Sequence, residues 1–177
     1  MDTRSVAIYA EQIHNVLGLE NDFDINELVK GLGGVIEKDN LNTGVVAQLS
    51  DLANEEGKPN FKVKISNQVM TEGRKRFSIA HELGHLFVHL DFLDKSKWAE
   101  HCKDSIVYYR GEITTGVEEV EANAFAAAFL MPSERFNKVA ENNLNNDGSY
   151  DIDEIAKCFN VSRESAYYRG INLGIWM

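Results

Sequence analysis

His81, Glu82 and His85 form a His-Glu-x-x-His pattern within Ile79-Ala80-His81-Glu82-Leu83-Gly84-His85-Leu86-Phe87-Val88-His89. On an α-helix, residues four apart stand one above the other, so both imidazoles can aim at one point with Glu82 beside them. Neutral imidazole suits Zn2+, and a catalytic zinc takes three protein ligands and leaves one position for water. The pair is therefore part of a site whose third ligand must come from elsewhere. Glu82, close to that water but not bound to the metal, is placed to take its proton. Three fixed positions recur by chance in many chains, so the surroundings carry weight. Phe77, Ile79, Ala80, Leu83, Leu86, Phe87 and Leu90 wrap most of the helix and mark it as a core element. Imidazoles and a carboxylate buried there are costly to desolvate unless a metal compensates them. His89 extends the series, but two helical turns from His81 is about 12 Å along the axis, too far for both to hold one ion at about 2 Å. It is expected to line the cleft, orient another group, or pack.

The elements that must complete this site follow from pattern. Val117 to Leu130 reads as a second helix, ended at Met131-Pro132 because proline cannot continue it, and its small residues allow another helix to approach closely. At about 100° per residue, Ala122, Phe125, Ala126, Phe129 and Leu130 share a stripe. Glu118 and Glu119 fall on or beside that stripe, whereas Glu121 points roughly the other way. Either of the first two fits a metal ligand, and phase does not choose between them.

Upstream, Ser5 to Leu17 carries apolar residues at helical spacing with Gly18 as a stop, and Asp24 caps a second helix that ends at Gly33-Gly34. His14, on the first of these, is read as a surface or packed histidine. Val35-Ile36, Val45 to Leu49 and Phe61 to Ile65 are β-type runs separated by polar turns, which predicts a small antiparallel sheet. An edge of such a sheet can hold an extended peptide. Asp94 to Gly116 reads as a long polar segment, irregular apart from Ser105 to Tyr109. Loops of that length often border sites, so Tyr108 and Tyr109, like His89, are weak substrate-side candidates; His101 is a weaker one still. Ser133 to Asn143 predicts a further helix. Residues 150–177 then read as helix, tight turn, helix, with Ser162 as N-cap. Because the second tail helix mixes Arg163 and Arg169 with Glu164 and two tyrosines, a packing role is preferred over DNA reading.

A chain of 177 residues, 44% of them hydrophobic, fits one domain with a real core, so 1–177 is read as a single domain with the tail packed on it. The net charge of −10 disfavours a general electrostatic grip on nucleic acid. No apolar run approaches the length of a membrane span, and the start lacks the pattern of a signal peptide, so a soluble, cytoplasmic protein is expected. Cys102 and Cys158, without Cys-x-x-Cys spacing, are expected as ordinary reduced thiols.

Two stretches, Arg76 to His89 and Glu119 to Ala126 with Leu130-Met131-Pro132, resemble the ImmA/IrrE family of zinc metallopeptidases. In related zinc peptidases the second motif is a glutamate ligand, an alanine three residues on and an Asp or Asn four on, matched here by Glu119, Ala122 and Asn123. The resemblance spans about Asp24 to Pro132 and, less specifically, the tail. It implies an α+β, zincin-like metallopeptidase core with the small sheet packed against helices. It also implies Zn2+ on His81, His85 and Glu119, Glu82 as general base, and Asn123 orienting a ligand histidine. The implied function is a regulatory endopeptidase that cleaves a DNA-binding repressor of phage or mobile-element type. The alternative is a DNA- or protein-binding regulator, or a toxin/antitoxin partner, whose metal site is not catalytic.

Overall fold

The computed structural model describes the whole chain except residues 42–46, 51–52, 54–55, 69 and 104–115. Helix α1 (Thr3–Val16) starts at Asp2, whose carboxylate accepts the Ser5 N–H, and α2 (Ile25–Gly31) starts at Asp24, which accepts from Asn26 and Glu27. These side chains satisfy amide groups that a helix start leaves without partners. Past α2 the chain turns at Gly33 with φ 80°, a conformation that costs glycine little.

Strands β1 (Gly34–Asp39), β2 (Ala47–Ser50) and β3 (Phe61–Ser66) follow, and the sheet order is β1-β3-β2. The β2–β3 pairing is antiparallel, as the strand pattern predicts. The β1–β3 pairing is parallel, with Gly34 opposite Phe61 and Asp39 opposite Ser66, so the sheet is mixed and not wholly antiparallel. The cause lies in the connections: the chain leaves β1 for the far edge and returns through the centre. Alternation in β3 puts Phe61, Val63 and Ile65 in the core and leaves Lys62 and Lys64 to pair with Glu37 and Asp39 on β1. Such alternation records which face is buried and says nothing of a neighbour's direction. Although β2 is an edge by hydrogen bonding, all four of its residues are buried, and it packs against α3.

Helix α3 (Glu72–Gly84), capped by Thr71, carries the His-Glu-x-x-His run and passes into a π turn over His85–His89. Arg76 holds the α1–α2 connection against α3: its guanidinium donates to the Phe23 and Asn21 carbonyls and lies 4.2 Å above the Phe23 ring. Burial pulls its pKa down to about 10. Helix α4 (Lys95–Lys103) occupies the start of the segment read as irregular. Asp94 accepts the Ser96 and Lys97 N–H groups there, and buried Trp98 anchors it. Helix α5 (Gly116–Leu130) crosses α3 and packs along α1. The α3 crossing is close: a Cβ placed on Gly84 would lie 3.1 Å from the Ala122 Cα and carbonyl oxygen.

Helices α6 (Ser133–Asn142), α7 (Ile152–Cys158) and α8 (Arg163–Asn172) close the chain, with Ser162 capping α8 through the Ser165 N–H. Phe136 of α6 stacks on Phe159, whose ring is fully buried. Arg169 of α8 donates to the Met131 carbonyl at 2.9 Å and to Glu11 of α1 at 2.7 Å. Cys102 and Cys158 are free thiols. Among the described residues no helix is long and apolar enough to cross a membrane.

Candidate metal centre

Helix α3 and the π turn that continues it present His81 and His85 on one face, with their ring centroids 4.9 Å apart. Both are buried, and their Nε2 atoms are 3.1 Å from each other. Helix α5 brings Glu119 to the same point: one carboxylate oxygen is 3.3 Å from His81 Nε2 and the other 3.4 Å from His85 Nε2. The Glu119 side chain is 28% exposed, so the cluster is closed on the helix side and reaches solvent past this carboxylate. One ligand atom from each of the three residues lies within 4.8 Å of the others, which is a group that could hold a metal ion.

The donor set fits zinc on its own chemistry. Bonds of about 2.0–2.1 Å at tetrahedral angles separate donor atoms by about 3.3–3.4 Å, close to the three separations found. The tautomer of His81 agrees. Its Nδ1–H donates to Asn123 Oδ1 at 2.9 Å, so the lone pair sits on Nε2 and points at the cluster. A nitrogen lone pair beside a carboxylate and a second imidazole calls for a cation between them.

Glu82 is buried next to His81 on the same helix, and its Oε2 accepts the Leu49 N–H of β2 at 3.0 Å. The sheet thus fixes a carboxylate that a bare helix would leave to its rotamers. A main-chain donor carries no residue identity, so Leu49 gave no signal in the sequence.

His89 stands apart from the cluster, as the axial rise requires. Its Nδ1 lies 3.0 Å from His85 Nδ1 and its Nε2 3.0 Å from Glu121 Oε2. Glu121 is a residue that phase reasoning set aside, yet it is 5% exposed and sits against His89. It also pairs with the Met1 amino group at 2.7 Å, and that contact together with the His89 N–H holds its carboxyl below the usual range. Tyr108 and Tyr109 lie outside the described residues. His101 is half-buried on α4.

A model of the IrrE N-terminal-like domain, peptidase M78, matches residues 50–170, which holds every group just described except the Met1 amino group on Glu121 and the Leu49 N–H. The chain belongs to the peptidase M78 family. M78 proteins are metallopeptidases, and His81, His85 and Glu119 are the metal-site candidates here. A solved structure of a Mycobacterium tuberculosis transcriptional regulator shares the fold, at 24% identity and a TM-score of 0.58. The alignment covers 93% of this chain and 46% of that one, so this M78 chain spans less than half of the regulator's length. No curated protein matches it.

Proposed function

We propose that this chain is a zinc-dependent endopeptidase with a regulatory role, and that its substrate is a DNA-binding repressor. The observation that supports it most is the convergence of two imidazole nitrogens and one carboxylate from separate helices, beside a buried glutamate that is not among them. His81, His85 and Glu119 would hold the ion. When bound, zinc supplies a Lewis acid that polarises the scissile carbonyl and acidifies a water. Glu82 takes a proton from the attacking water and hands it to the leaving amine, with the Leu49 N–H holding one of its oxygens in place. Asn123 keeps the His81 ring turned so that Nε2 faces the site. The repressor assignment draws on membership of the M78 family and on the regulator that shares the fold.

The DNA-reading alternative loses ground at Arg169. This is one of two arginines on α8, and it is buried and engaged by Glu11. Arg163 is the other and pairs with Asp153 at the surface.

The test uses purified wild type and Glu82→Gln with repressors encoded beside the gene. One zinc per chain is expected in both proteins, with specific cleavage by the wild type and a rate lower by roughly 10²–10⁴ in the variant. A wild type without stoichiometric metal, or a Glu82→Gln variant that cuts at the wild-type rate, would overturn the reading.

A further inference from the structure

A metal-binding imidazole must offer a lone pair to the ion, and which ring nitrogen offers it is set by what the other nitrogen does. For His81 the Asn123 amide oxygen settles this. The partner of His85 is unusual: its Nδ1 faces another ring nitrogen, Nδ1 of His89, at 3.0 Å. Of two neutral imidazoles in that contact one must donate and the other accept, so the contact alone leaves two arrangements.

Glu121 removes the choice. Its Oε1 lies 2.7 Å from the Met1 amino group, an ion pair in which a carboxylate is an acceptor only. Facing His89 Nε2 at 3.0 Å, it requires a hydrogen on that nitrogen. The neutral His89 ring then carries its lone pair on Nδ1 and accepts from His85 Nδ1–H. The His85 lone pair is thereby left on Nε2, the atom 3.1 Å from His81 Nε2 and 3.4 Å from Glu119. The series runs Glu121 carboxylate, His89, His85, metal position, with one hydrogen per link and the same sense throughout.

Burial makes this arrangement firm. Glu121 and His89 side chains are 6% and 9% exposed, so bulk water does not offer competing partners to either. The backbone contributes as well. Over His85–His89 the helix is π, and the Leu90 N–H reaches back to the His85 carbonyl at 3.1 Å. The π turn changes the angular step between residues 85 and 89, and here the two rings stand with centroids 5.0 Å apart and planes tilted by 48°.

We propose that His89 and Glu121 are positioning residues: a carboxylate and an imidazole in series that hold His85 as its Nδ1–H tautomer and turn its Nε2 toward the metal. This deepens the metallopeptidase reading and rests on it. In this role both act through His85 and not as ligands themselves. The two ligand histidines are thus oriented by different devices, an amide for His81 and a charged two-residue relay for His85, both reaching out to α5.

The test takes the full chain and four variants, His89→Phe, His89→Gln, Glu121→Ala and Glu121→Gln, each checked for native circular dichroism. His89→Phe keeps ring volume and removes the acceptor, whereas the Gln oxygens at 89 and 121 can still accept. Two-bond 1H–15N spectra of the metal-free proteins, at a pH where the rings are neutral, read the tautomer of His85 directly. Competition with a chromogenic chelator reads zinc affinity. The wild type is expected to show His85 as the Nδ1–H form. His89→Phe and Glu121→Ala should show a tautomer mixture and a zinc affinity lower by about 10–100-fold, with each Gln variant closer to wild type than its partner. A His85 that is Nε2–H in the wild type, or that keeps its tautomer and zinc affinity in His89→Phe, would overturn the relay. If His89→Phe does not fold, Glu121→Ala decides in the same way. A wild type that holds no zinc but shows the Nδ1–H tautomer, lost in the variants, would sink the metallopeptidase reading while leaving the hydrogen-bond relay intact, so the two failures are separable.

Discussion

At the scale of single residues, most polar groups buried in this core are matched, and one exception makes a prediction. His14 is fully buried, its Nδ1–H donates to the Phe129 carbonyl at 2.7 Å, and its Nε2 finds no partner among the described residues. The edges of Phe23 and Phe129 flank the ring. Burial holds its pKa below the ordinary 6.5, against a weaker pull upward from the Phe129 carbonyl. The folded state therefore keeps His14 neutral while the unfolded chain takes up a proton. The stability this contributes is fully present above pH 6.5 and is lost as pH falls from there toward the depressed folded value, at no more than about 1.4 kcal/mol per pH unit. Urea midpoints at pH 7.5 and 5.5 should fall further for wild type than for His14→Gln; equal falls would show that His14 does not couple folding to protons. Much of the candidate metal cluster was legible at this scale, because metal-ligand types at i and i+4 leave their spacing in the chain. Two groups beside it were not. The Leu49 donor is main chain, and Glu121 was set aside by an argument that assumes one core face, whereas α5 buries residues 121, 122, 125, 126 and 128–130, on more than one side.

At the scale of elements, the geometry depends on how closely α3 and α5 approach. Adding a methyl at Gly84 would meet the Ala122 backbone at 3.1 Å and Phe125 Cβ at 3.2 Å, and backbone does not step aside cheaply. The helix propensity gained from Gly to Ala, about 0.5–1 kcal/mol, works the other way. Overpacking costs typically about 1–3 kcal/mol, so Gly84→Ala should be destabilising by about 1–2 kcal/mol net and should spread the candidate metal ligands. Gly31, also helical, has nothing within 4 Å of a built Cβ, so Gly31→Ala should leave the denaturation midpoint level or raise it. A destabilisation equal at both positions would refute the close-approach argument. Helix starts at Asp24 and Ser162 were legible because a capping oxygen is a local device. The parallel β1–β3 pairing, the π turn and α4 were not. Strand direction is a matter of connection, a π turn answers to packing around residues 85–89, and the Asp94 cap of α4 lay inside a stretch whose polarity masked its helical start.

At the scale of the whole molecule, the end of the chain is locked to its beginning. Arg169 of α8 reaches Glu11 of α1 and the Met131 carbonyl, and Glu11 also accepts from the Ser133 N–H and hydroxyl, so one carboxylate gathers three parts of the fold. Removing one partner of a mostly buried pair strands the other, which with Glu11 24% exposed puts Arg169→Ala at a loss of about 2–4 kcal/mol. Arg169→Lys, which keeps the charge without the fork, should fall between, and thermal melts would rank the three. The order of elements has a further consequence. The centre of the sheet, β3, is the last of its strands to be made, and α1, made well before α5, packs on it. Glu119 arrives later than both histidines. A nascent chain therefore carries β1 and β2 unjoined until β3 emerges, and α1 without its α5 partner until α5 follows. The three candidate ligands cannot come together before the helix that bears Glu119 docks on α3, so the growing polypeptide is without its candidate metal site while everything from α1 to α4 is being made.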